Sequence, residues 1–211
     1  MPFQTFINLP EDKKNQIIDA AIEEFYKMGF EKTSIAKVIE RAGIPRGSFY
    51  QYFDGKTDLY KYIIVDVIGR RKHEFSGTVL ADIEKLGFIE IIKELFISGI
   101  QFYRAFPRMA VVATEFVSIK DKEVKKSVLG ESEQISNMYF LQLIKERKEK
   151  GEIAKEVDEE MLLFLINSLN TTFVDYFMEK TNMNYDDDSL VGAVDKMLAI
   201  LANGISGKIR G

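Results

Sequence analysis

Apolar residues along this chain recur mostly at three- and four-residue intervals, a spacing that predicts one helix after another. After Pro10, residues Ile18, Ala21, Ile22 and Phe25 make one face of a helix over about 11–28, and Gly29 is placed to close it with a left-handed cap. Thr33 or Ser34 can cap a second helix whose inner face is Ile35, Val38, Ile39 and Ala42. Gly43 supplies a sharp turn, and Ile44 fills the space between helices. Pro45 suits the first turn of a short third helix, because its missing N–H has no partner there anyway. Phe49, Tyr52 and Phe53 give that helix an inward edge, Asp54-Gly55 ends it, and a fourth helix is predicted over 56–72.

Further helices are predicted over 80–105, 107–119, 122–150, 158–180 and 187–206, separated by Pro107, Asp121, Gly151 and the stretch 182–188. The β-branched residues of RMAVVATEFVSI suggest a strand, but a lone strand has no partner in this pattern, so a helix is expected there. There is no internal repeat and no low-complexity tract. The fold class expected is all-α.

Composition narrows the choice of function. At 211 residues, with 46% hydrophobic and 29% charged, the chain can build an ample core. It has no cysteine, which rules out disulfides and thiolate metal sites and is compatible with a reducing cytoplasm. MPFQTFINLP lacks the basic start and apolar run of a signal peptide. The longest apolar run, Met161 to Ile166, is far shorter than the ~18 residues of a membrane span, so no membrane partner is expected. His73 is the single histidine and no Glu stands at position 70, so paired catalytic histidines and a Glu-x-x-His metal motif are excluded. Without a Gly-rich phosphate loop either, no enzyme, metal or cofactor is expected.

The net charge of −4 is unevenly spread. Residues 32–56 carry Lys32, Lys37, Arg41, Arg46 and Lys56 against Glu40 and Asp54, a local +3 that leaves −7 for the remainder. Such a head attracts phosphate while the acidic body discourages nonspecific coating of DNA. Two short helices broken at Gly43 are the layout of a helix-turn-helix. On the third helix, Arg46 can pair with guanine and Gln51 with adenine through two hydrogen bonds each. Gly47 lets the helix start approach the groove wall, and short Ser48 can reach a base edge or a phosphate. Tyr50 and Tyr52 suit flanking phosphates. Thr33, with Ser34 beside it, and Lys56 lie at helix amino ends where phosphates could be clamped. The plainer alternative is a three-helix core in which Tyr50 and Tyr52 merely cover apolar surface.

The stretch AAIEEFYKMGFEKTSIAKVIERAGIPRGSFYQYFDGKTDL resembles the amino-terminal domain of TetR-type transcriptional regulators. An aromatic ending the first helix, then G-[FY], a Thr-initiated second helix, A-G-[IV] at the turn, and a small-residue/Y-x-[YH]-F third helix leading into K-x-x-L appear in order; Tyr52 stands where that family often has His. The resemblance implies that Thr33, Arg46, Ser48, Tyr50, Gln51, Tyr52 and Lys56 lie at the DNA surface. It also implies a homodimer, an all-helical body, and repression relieved by a small effector. The expected organisation is a three-helix DNA-binding domain over 1–56 and a helical effector-binding and dimerisation domain over 57–211.

One short helix reads few base pairs, so two heads on a palindromic double-stranded operator are expected. Leu162, Leu165, Ile166, Leu169 and Phe173, with Leu190, Val194, Met197, Leu198 and Leu201, are the candidate dimer surface, arranged as a four-helix bundle; packing within one chain is the alternative. The central helices carry Phe96, Phe102, Tyr103, Phe106, Met109, Phe116, Tyr139 and Phe140, which serve either as core or as the lining of an apolar effector site. Gln101, Glu115, Asn137, Asn167 and Asn170 are polar groups beside these apolar runs, and an inward-facing one must find a partner. Effector binding is expected to tilt the helix over 56–72. A body that docks a protein instead remains open.

Overall fold

The computed structural model describes residues 1–81, 83–130, 132–181 and 185–205, and no strand occurs among the described residues. The helices are α1 (Gln4–Ile7), α2 (Glu11–Lys32), α3 (Ile35–Arg41), α4 (Arg46–Tyr52), α5 (Lys56–Lys61), α6 (Gly69–Ala81), α7 (Phe88–Ala105), α8 (Pro107–Ser118), α9 (Lys122–Leu129), α10 (Ser132–Glu149), α11 (Glu159–Thr181) and α12 (Asp187–Ile205). Between α5 and α6 the chain is wound as a π-helix over Tyr62–Ile68, where Ile63, Ile64, Val65, Val67 and Ile68 form a β-branched run. Such residues crowd the preceding turn of an α-helix and lower its propensity.

Several expected boundaries move. The helix expected to end near 72 continues through the π-wound segment to Ala81, and the one expected from 80 starts only at Phe88. Its start is fixed by a local acceptor, for Glu90 Oε2 takes the Gly87 N–H at 2.9 Å. The single helix expected over 122–150 is cut at Gly130, whose φ of +55° ends α9. The β-branched stretch 108–119 is helical, as expected. Residues 182–184 of the expected break lie outside the described residues. Helix α1 has no counterpart in the expected pattern.

The chain divides into two compact units, one of residues 1–72 with 102–131 and one of 73–101 with 132–211. In the first, Ile17, Ala21 and Phe25 of α2 are buried together with Val38 of α3, Ala42 and Ile44 of the turn, and Phe49 and Phe53. Gly43 makes the turn at φ +59°, a conformation that costs an ordinary residue energy. Tyr60 is wholly buried with its ring 4.7 Å from Phe25, 4.8 Å from Phe30 and 6.0 Å from Phe116, so α8 belongs to the same core as the head.

The second unit has its own core. Phe96 lies 5.9 Å from Phe173, which stacks on Phe177 at 6.1 Å. Lys93 reaches Asp195 at 2.6 Å and so joins α7 to α12. The buried Arg147 guanidinium donates to Glu152 Oε1 at 2.8 Å and to the Ile83 carbonyl, and the other Glu152 oxygen accepts from the Phe88 N–H at 2.6 Å. One ion pair thereby ties the connection before α7 to the one after α10.

Candidate nucleic-acid interface

Helix α4 is two turns long because Pro45 opens it and Phe53 is extended at φ −139°. Phe49 and Phe53 are wholly buried, so the helix is anchored through one edge. Arg46, Gly47, Tyr50 and Gln51 are exposed at spacings of one, four and five residues, which places them together on the opposite face. No atom lies within 4 Å of where a Gly47 Cβ would sit, so this face is open at the helix start. Tyr50 meets Phe49 edge-on at 5.3 Å yet leaves 49% of its surface free. Ser48 is half-buried at the margin. Ser34 is exposed before α3 and makes no side-chain capping bond.

Three of the expected DNA contacts have partners within the head in this single chain. Tyr52 is only 7% exposed, with its ring 6.0 Å from that of Phe6, so it braces the head from inside. Thr33 is 6% exposed, and its hydroxyl donates to the Gly29 carbonyl at 2.6 Å and the Glu24 carbonyl at 3.3 Å. Lys56 donates to the carbonyls of Phe30 and Glu31 at 2.8 and 2.9 Å and lies 4.7 Å above the Phe30 ring. Lys56 thereby satisfies carbonyls at the end of α2 that the helix cannot satisfy by itself, while the Thr33 hydroxyl adds to the Gly29 carbonyl, which also accepts the Thr33 N–H at 3.1 Å.

The joint after α2 has a partner that local spacing does not reveal. Gly29 is at φ +70° and ψ 169°, outside the helical region, and the chain leaves the helix axis there. Glu115 of α8 fills the space beside it and accepts the Phe30 N–H at 3.0 Å. Burial pushes the Glu115 carboxyl up, against the lowering effect of that N–H. Two turns earlier Glu23 is held below its ordinary value by a hydrogen bond from Lys27, with Arg108 of α8 also lowering it from 2.7 Å away. Glu115, expected as a polar group beside an apolar run, is thus committed to the head.

The remaining effector candidates are spread over the two units. Phe102, Tyr103, Phe106, Met109 and Phe116 belong to the first unit, whereas Phe96, Gln101, Asn137, Phe140, Asn167 and Asn170 belong to the second. Gln101, Asn167 and Asn170 are exposed, and Asn170 lies beside Gly99. Among the candidate dimer residues, Leu162, Ile166, Phe173, Leu190, Val194 and Leu198 are buried in the core of their own chain. Leu169, Met197 and Leu201 are half-buried, and Leu165 alone is exposed. Helix α11 is apolar on two sides. Its outward stripe is Met161, Phe164, Leu165 and Tyr176, and α12 adds Ile200. By length and composition α11 could cross a membrane, but that apolarity is shared between an inward and an outward face. A groove of about 840 Å³ runs between α11 and α12, lined by Tyr176, Phe177, Lys180, Met197 and Ile200 among others.

A helix-turn-helix head with an open reading face, followed by a helical body, defines a DNA-binding transcriptional regulator. The profile of bacterial regulatory proteins of the tetR family matches residues 17–63, and that of the tetracyclin repressor-like C-terminal domain matches 86–206. The chain belongs to the TetR family, whose members are transcriptional regulators and not enzymes. It is 25% identical over 206 residues to the fatty acid metabolism regulator protein of Bacillus subtilis, covering 93% of this chain and 97% of that one. A TetR family transcriptional regulator from Chloroflexus aurantiacus superposes with a TM-score of 0.73 at 26% identity over 97% of this chain and 98% of that one. FadR from Bacillus subtilis, crystallised in complex with stearoyl-CoA, has a TM-score of 0.72 at 21% identity over 90% and 98%.

Proposed function

We propose that this chain is a cytoplasmic repressor that binds a palindromic operator as a homodimer and is released by a long-chain acyl-CoA. Residues 1–56 serve as the DNA-binding domain and 57–211 as the effector-binding and dimerisation domain. The observation that carries the DNA reading is the exposed face of Arg46, Gly47, Tyr50 and Gln51 on a helix anchored from behind by Phe49 and Phe53. Arg46 and Gln51 take base edges; Tyr50, Ser48 and Ser34 take flanking phosphates.

The acyl chain is suggested by the relative that regulates fatty acid metabolism and by the stearoyl-CoA bound to the FadR neighbour. The groove between α11 and α12, lined by Phe173, Phe177 and Met197 among others, supplies apolar surface suited to an alkyl tail. One observation favours docking of a protein instead, namely the adjacent exposed Met138 and Tyr139 of α10. Operator fragments selected from random duplexes, then titrated with stearoyl-CoA against free coenzyme A, separate the two. The acyl thioester is expected to weaken operator binding about 5–150-fold, the usual range of such coupling. An operator affinity unmoved by stearoyl-CoA would rule out this effector and leave the DNA reading standing.

The dimer is supported by the outward stripe of α11 with Ile200 of α12, a surface costly to leave in water. Phe164, 62% exposed in the single chain, is expected to be buried by the second copy. Phe164→Glu should leave helicity intact and give monomers in sedimentation at concentrations where the unaltered chain is dimeric. A dimer that survived the substitution would move the interface elsewhere.

A further inference from the structure

We propose that residues 3–6 form a clasp that caps the carboxyl end of α4, making Thr5 and Phe6 positioning residues for DNA recognition. The proposal rests on α4 being the reading helix. A helix of seven residues is too short to hold its shape alone, and its last carbonyls have no donors within the helix. The Phe49 carbonyl takes the Phe53 N–H at 2.9 Å, but Phe53 is extended, so no glycine-type cap closes the last turn. Of the three carbonyls beyond it, those of Gln51 and Tyr52 are served by the amino-terminal segment. Thr5 Oγ1 donates to the Gln51 carbonyl, and the Phe3 N–H donates to the Tyr52 carbonyl at 2.9 Å.

The clasp is fastened by a ring. Phe6 is 1% exposed, with centroids 4.7 Å from Phe53, 6.0 Å from Tyr52 and 5.3 Å from Tyr62. It therefore packs on the end of α4 and on the start of the π-wound segment at once. The segment is itself ordered as one helical turn, in which the Phe3 carbonyl accepts from the Phe6 N–H at 2.9 Å. Gln51 is thus both a base-reading candidate and the residue whose carbonyl the clasp holds. Releasing that carbonyl lets the backbone under the Gln51 side chain wander, and the ordering must then be supplied on binding. Nonspecific attraction to phosphate, which needs charge but not register, is not affected by such loosening.

The test uses the full chain, a selected operator and an unrelated duplex of equal length at one salt concentration, with amide hydrogen exchange over 46–53 as a second readout. Thr5→Val removes the hydroxyl at nearly constant shape. It is expected to weaken operator binding about tenfold, which is about 1.4 kcal/mol and within the range of one hydrogen bond, to leave the unrelated duplex within about twofold, and to speed exchange at 49–53. Thr5→Ser should restore all three values. Phe6→Leu should be mild, and Phe6→Ala should reproduce or exceed the Thr5→Val pattern. Equal losses on both duplexes, or unchanged exchange in Thr5→Val, would overturn the clasp. If the unaltered chain preferred no duplex over another, the reading role of α4 would fail, and exchange alone would still decide whether the clasp exists.

Discussion

Gly29→Ala is expected to destabilise the folded chain by about 2–6 kcal/mol, the sum of two separate costs. The first is local. At φ +70° and ψ 169° the residue occupies a region that is essentially restricted to glycine, where a side chain costs roughly 1–3 kcal/mol. The second comes from α8. A Cβ at this position would meet Glu115 Oε1 at 2.2 Å, and moving that carboxylate aside breaks its bond to the Phe30 N–H. Leaving a buried N–H unpaired costs about 1–3 kcal/mol. Urea denaturation followed by circular dichroism measures the loss, and a midpoint equal to that of the unaltered chain would refute the argument.

The same joint separates charge from hydrogen bonding. Burial raises the Glu115 carboxyl, so ionising it costs the folded state; that cost is full above the folded-state pKa, shrinks as pH falls below it, and is gone below the unfolded-state value. Glu115→Gln keeps an oxygen acceptor for Phe30 and removes the charge, so it should be neutral or slightly stabilising at pH 7. Operator binding should suffer in Gly29→Ala because the joint fixes where α3 begins. A helix of the body thus reaches the head through a carboxylate as well as through the continuous chain of 56–72, the link expected from sequence order.

Gly43, Pro45 and the Phe49 spacing made the helix-turn-helix readable, because each acts through its immediate neighbours in the chain. Thr33 and Lys56 were harder for a physical reason. A hydroxyl or ammonium that suits a phosphate suits an orphan helix carbonyl equally well, and only the fold decides which one it meets. Helix α11 presents a related ambiguity, since Met161 through Ile166 are all apolar and periodicity cannot choose between two stripes. The outward stripe is identified only once Leu162 and Ile166 are seen buried in their own chain. Phe6 and Glu115 gave no local signal, because their partners lie 47 and 85 residues away in the chain at Phe53 and Phe30.

Gln51→Ala and Arg46→Ala are expected to show the largest effects on DNA binding, and to differ in kind. Each base contact made through two hydrogen bonds is worth about 1–3 kcal/mol, and a symmetric dimer loses it in both half-sites, about 2–6 kcal/mol in all. Both side chains are exposed, so the fold and melting temperature should not change. Gln51 is neutral; its loss should weaken the operator alone and relax preference at one position per half-site. Arg46 carries charge, so its loss should also weaken unrelated duplexes and reduce the salt dependence by about one unit per subunit. Fluorescence anisotropy across a salt series resolves the two patterns. Normal operator binding by Gln51→Ala would remove that residue from base reading, whereas a salt slope unchanged in Arg46→Ala would remove the arginine from the phosphate-rich surface altogether.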